Sequence, residues 1–129
     1  MIATAELRVL PAAYRMLRSE DFTTAVRSGA CSGSRRLVIH YRAGEVGATA
    51  PALVGVVVPK SQVARAARRN RIKRRVRALM AQRLAGLEPG ARLVVRGLAG
   101  ADGATSRQLG ADIDRLLTRS REPGRRARR

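Results

Sequence analysis

The chain of 129 residues carries 27 Lys plus Arg against 9 Asp plus Glu, a net charge of +18. That length suits one domain with a real core, and such an excess of cations is tolerable only when a polyanion neutralises it. The single cysteine excludes an internal disulfide, the longest apolar run (52–59) falls far short of the ~20 residues of a membrane span, and the chain does not open on a signal-peptide pattern. A cytoplasmic protein with a nucleic-acid partner and no membrane partner is therefore predicted. Only Lys60 and Lys73 are lysines, so nearly all the charge is guanidinium, which pairs bidentately with phosphate. GC-rich coding accounts for Arg over Lys but not for the net charge.

In chain order, residues 1–9 lack a periodic apolar pattern and are predicted to form a disordered N-terminal extension, ahead of a Pro11 that enforces extended backbone. Ser19 with Glu20 and Asp21 reads as a helix start, since the dipole favours acids there, and a short helix is predicted over 20–28, stopped by Gly29. From Arg36 to Tyr41, Leu37, Ile39 and Tyr41 alternate with Val38 and His40, as in a two-faced strand. A loop over 43–50 leads to a buried strand over 53–58, ended by Pro59.

A helix is predicted over about 66–85, where Ile72, Val76, Leu79 and Met80 fall at i, i+4, i+7 and i+8. Asn70, Arg74 and Arg77 then point the opposite way, with Arg71 and Lys73 on the flanks. One face enters the core and the other is a cationic wall. After Gly86 and Pro89-Gly90 come a strand over 92–96, a glycine-containing connector, and a helix over 106–119 with Leu109, Ile113, Leu116 and Leu117 on one stripe. Residues 120–129 read as a disordered basic tail, leaving a domain over 10–119.

The segment Lys60–Arg77 holds nine cations and no acid. A solvated helix face mixes signs, because like charges at i, i+4 repel, so a phosphate-binding face is the better account. The nine acids are scattered, and Asp112 and Asp114 fall on different sides of their helix. The sequence therefore supplies no carboxylate pair for two-metal or acid–base hydrolysis. His40 has no evident partner as a general base. Tyr14 and Tyr41 are aromatic candidates for base stacking, but Tyr41 shares its face with Leu37 and Ile39 and is predicted to be core.

Lys60, Val63, Ala66, Arg69-Asn70-Arg71, Ile72 and Lys73-Arg74, directly after a Gly-Val-Val-Val strand, resemble the bacterial ribonuclease P protein family. The resemblance extends over about 10–118 and is most specific over 54–77. It implies an α+β fold, a compact α/β sandwich of order αβββαβα with a left-handed βαβ crossover, against the usual right-handed rule. It implies that Lys60, Arg65, Arg68, Arg69, Asn70, Arg71, Lys73, Arg74 and Arg77 face the ribonuclease P RNA. It also implies a cleft for the 5′ leader of precursor tRNA, whose aromatic positions map to Phe22, Val26 and His40; Arg18, Arg36 and Val38 are expected to border the same cleft. Two of the family's cleft aromatics are replaced, by Val26 and His40, and Ser61 stands where a second lysine is common. Catalysis and magnesium are then expected to reside mainly with the RNA, with no catalytic or metal-ligating residue in the protein. The alternative is a small basic ribosomal protein binding rRNA. A DNA-compacting protein is disfavoured by the regular core stripes.

Overall fold

The computed structural model describes residues 9–121, so the predicted disorder of 1–8 and of 122–129 lies outside the described residues. After a 3₁₀ turn at Ala12–Tyr14 come α1 (Ser19–Ser28), β1 (Ala30–Gly33), β2 (Leu37–Arg42), β3 (Leu53–Val57), α2 (Ala66–Ala81), β4 (Arg92–Gly97) and α3 (Ser106–Ser120). The fold is α+β, and its order is the expected αβββαβα. The sheet runs β1-β2-β4-β3. β1 pairs antiparallel with β2, and β2 with β4, whereas β3 and β4 are parallel and joined through α2.

Strand alternation decides what each face meets. Leu37, Ile39 and Tyr41 of β2, Val54 and Val56 of β3, and Leu93 and Val95 of β4 join Ile72, Val76 and Met80 of α2 and all four stripe residues of α3 in one core. Burying each large side chain contributes roughly 1.5–3 kcal/mol. Met16, Ala25 and Val94 form a second, smaller cluster with Phe22 and Leu53 under α1 on the opposite face. The sheet is thus sandwiched unequally, with α1 covering only part of its side.

Most predicted boundaries hold to within a residue, and three departures are larger. β1, whose Ala-Cys-Ser-Gly has no β-branched residue, escapes pattern reading. It is held by the turn in which the Ser34 amide donates to the Leu37 carbonyl (2.8 Å) and by the Ser32 hydroxyl, which donates to the Leu116 carbonyl (2.8 Å). α2 stops at Ala81, not near 85, because the chain tightens into a 3₁₀ turn (Leu84–Gly86) that buries Leu84. Ser120 and Arg121, expected in the tail, belong to the fold: Ser120 is buried and hydrogen-bonded to Ser32 (2.6 Å), and Arg121 lies 5.3 Å above the Tyr41 ring. Tyr41 is core as predicted, its hydroxyl donates to Glu88, and burial raises its pKa to about 12. No helix among the described residues is long and apolar enough to cross a membrane.

Candidate nucleic-acid interface

α2 begins against elementary helix electrostatics. Arg65 occupies its N-cap without a side-chain hydrogen bond, and its first turn contains no acid. A helix N-terminus carries about half a positive charge and favours anions, so cations gathered there leave the end of α2 uncompensated within the chain. An external polyanion would supply what the sequence withholds.

Lys60, Arg65, Arg68, Asn70, Arg71 and Arg74 are exposed, and Arg69, Lys73 and Arg77 are half-buried. Asn70, Lys73, Arg74 and Arg77 surround an open depression of about 420 Å³ over Ala67. The nine residues divide by what holds them. Arg68 pairs with Asp102 (3.2 Å), and Arg69 donates to the carbonyls of Val63 (3.0 Å) and Ala64 (2.6 Å), fixing the loop that enters α2. Arg75, which shares the segment, is spent on the Ala104 carbonyl (2.5 Å). Among the described residues no hydrogen bond or ion pair engages the side chains of Lys60, Arg65, Asn70, Arg71, Lys73, Arg74 or Arg77. They are free to meet phosphate.

The second candidate surface is the open part of the sheet beside α1. Phe22 is half-buried over Gly55, where an added Cβ would lie 2.5 Å from Phe22 Cε1, so the absence of a side chain at 55 lets the ring settle onto β3. Val26 is exposed on α1, and Val38 and His40 are half-buried on the same sheet face. Arg18 sits exposed at the α1 N-cap, four residues before Phe22. Burial, then the nearby Arg96 charge, lowers the His40 pKa below 6.5, which keeps the imidazole neutral at pH 7. Its Nδ1 is buried without a hydrogen-bond partner.

Arg36 does not join this group. Its guanidinium turns to the other side, 3.3 Å from the buried carboxylate of Asp112 on α3. This candidate surface instead gains Arg96, exposed on central β4 and paired in register with Val38 and Val57. Alternation along Arg92–Arg96 would have put Arg96 opposite Leu93 and Val95, but only the pairing of β2 with β4 brings it beside His40.

A family model for ribonuclease P matches residues 10–121. The ribonuclease P protein component of Streptomyces bikiniensis is 44% identical over 117 residues, covering 86% of this chain and 94% of that protein. That of Beutenbergia cavernae is 46% identical over 110 residues, covering 85% and 90%. Among solved structures, the Staphylococcus aureus RNase P protein superposes with a TM-score of 0.72 at 21% identity, over 84% of this chain and 96% of that one. The RNase P protein from Thermotoga maritima gives 0.67 at 22% identity, over 81% and 96%. These two likenesses bear on the fold, and the more similar sequence relatives and the family model bear on kinship. The matched span ends at Arg121, the residue that stacks on Tyr41, and the ribosomal-protein alternative gives way. The chain belongs to the bacterial ribonuclease P protein family.

Proposed function

We propose that the protein is the RNA-binding subunit of a ribonuclease P, its α2 face gripping the catalytic RNA and its α1–sheet cleft receiving the 5′ leader of precursor tRNA. The observation that carries this reading is the set of cations along one face of α2 that, among the described residues, have no intramolecular hydrogen bond or ion pair, although five other arginines pair with aspartates. In the cleft, Phe22 offers a stacking surface, Arg18 and Arg96 offer phosphate contacts, and neutral His40 offers a hydrogen bond without a charge.

Hydrolysis of the tRNA phosphodiester is assigned to the RNA, together with the magnesium that would activate water and stabilise the leaving oxygen. The protein's acids suit this division. Asp21, Asp102, Asp112 and Asp114 are each paired with arginine, and among the described residues no three of His, Cys, Asp and Glu gather to hold a metal. The protein's part is to neutralise phosphates and hold the substrate.

Reconstitution with the host's ribonuclease P RNA tests this. Arginine neutralises backbone charge that would otherwise demand divalent ions, so the complex is expected to cleave precursor tRNA at magnesium concentrations where the RNA alone is slow. No stimulation at any magnesium concentration would overturn the reading.

A further inference from the structure

The turn Ser34–Arg36 is packed against three other parts of the chain. The Leu98 amide donates to the Arg36 carbonyl (2.9 Å). The 3₁₀ turn Ala99–Ala101 presses so close that a Cβ on Gly100 would lie 2.6 Å from the Arg35 carbonyl oxygen. The same turn reaches the other way to the α2 approach, where the Ala99 amide donates to Gln62 (3.1 Å) and Asp102 pairs with Arg68 (3.2 Å). This uncharged turn therefore links the cationic α2 approach to Arg35 and Arg36.

On the far side of that turn stands a small built cluster. The Asp112 side chain is only 4% exposed, and it accepts from Ser34 Oγ (3.2 Å), Arg36 Nη1 (3.3 Å) and Arg115 Nη2 (3.1 Å). One carboxylate faces two guanidiniums, so a positive charge is left over. Arg36, which is 21% exposed, joins α3 to the β1–β2 turn, whereas Arg115, at 57%, pairs within α3 itself and adds a second cation. Each guanidinium has five donors, and toward Asp112 each uses a single nitrogen. These distances also exceed the 2.7–2.9 Å usual for charge-assisted pairs, so both groups are positioned without being saturated. Arg35 is exposed beside them and has no ion pair among the described residues.

We infer that the RNA-contacting surface extends beyond α2 across Ala99–Ala101 to Arg35, Arg36 and Arg115, with buried Asp112 holding two of these arginines as a clamp for backbone phosphates of the ribonuclease P RNA. This rests on the reading that α2 binds that RNA. The RNA is the preferred occupant because the surface is continuous with α2, whereas the leader cleft lies on the opposite side of the sheet. Asp112 is a positioning residue: a guanidinium already held in place loses less freedom when phosphate arrives.

The experiment measures affinity for the ribonuclease P RNA alone, as a function of salt, with melting temperature recorded for each variant. Arg35→Gln combined with Arg115→Gln is expected to weaken binding and to reduce the salt slope by ~0.7 for each phosphate left unneutralised, at an unchanged melting temperature. Asp112→Asn gives a test of opposite sign. It raises the net charge from +18 to +19, so attraction by net charge alone tightens binding, whereas loss of the clamp weakens it and lowers the slope. Wild-type affinity and slope in the double variant would sink the proposal, as would tighter binding by folded Asp112→Asn, or a loss confined to precursor tRNA on the holoenzyme. Should Asp112→Asn fail to fold, the double glutamine variant decides alone. Arg71→Gln with Arg74→Gln serves as the reference. If that pair leaves RNA binding intact, the α2 reading falls; if it weakens binding while the Arg35/Arg115 pair does not, only the extension falls.

Discussion

Arg69 and Arg71 are two residues apart on α2 and have different occupations. Arg69 is tied to the Val63 and Ala64 carbonyls, and Arg71 has no intramolecular partner among the described residues. Arg71→Ala or Arg74→Ala is therefore expected to lower the salt slope of RNA binding by ~0.7–0.9 while stability stays within about 0.5 kcal/mol. Arg69→Ala is expected to cost about 1–2 kcal/mol of stability as well, because two charge-assisted bonds disappear; paired binding and denaturation curves separate the cases. The Phe22 ring covers Gly55 and, on the proposed reading, also borders the leader cleft. Phe22→Ala should weaken precursor tRNA binding by about 1–3 kcal/mol with mature tRNA unaffected, and should cost less than the roughly 3–5 kcal/mol of a fully buried Phe. An equal loss for both tRNAs would assign the ring to the core alone. For His40, the folded state resists protonation, so as pH falls below 6.5 the unfolded chain takes up that proton first and stability drops. Melting temperatures measured between pH 7 and 5 should fall less steeply in His40→Gln. The sequence showed that Arg36 is cationic and next to a strand, but not that Asp112, 76 residues later, would draw its guanidinium to the α3 side of the sheet.

At the level of elements, the two long helices were legible because their buried stripes obey the 3.6 period: Ile72, Val76 and Met80 on α2, and Leu109, Ile113, Leu116 and Leu117 on α3. β1 was not, because Ala-Cys-Ser-Gly carries no periodic signal and owes its place to the Ser32 hydroxyl and to its antiparallel pairing with β2. The two helices also start differently. Thr105 and Gln108 close a reciprocal capping box on α3, whereas α2 starts on uncapped Arg65. On the proposed reading an RNA phosphate compensates the weak start of α2, and this predicts a trade-off. Arg65→Asp introduces a capping carboxylate in the favourable half of the dipole, so it should stabilise the free protein by about 1 kcal/mol and at the same time weaken RNA binding. Thermal denaturation and an RNA titration on this one variant check both halves, and tighter RNA binding would refute the assignment of that helix end.

Over the whole molecule, composition pointed to a polyanion partner and periodicity to most of the elements, whereas the order in which the strands lie side by side is a property of tertiary packing. In that order β4 is a central strand, between β2 and β3, although it is the last of the four along the chain. Before residues 92–97 exist, the backbone partners of β3 among the described residues are the short bridge near Arg15 and Met16, whose amide donates to the Val54 carbonyl (2.9 Å), and a single bond from the Leu53 amide to the Ala91 carbonyl (2.9 Å). β2 has only the four residues of β1. A two-stranded piece of this size is marginal in water, so a fragment spanning 9–91 is expected to give no cooperative melting transition, and a sharp one would show that β4 is dispensable. During protein synthesis, then, the ribosome releases every residue of the cationic helix before the strand that completes the sheet, and the emerging chain spends that interval as an unfolded polycation amid cellular RNA.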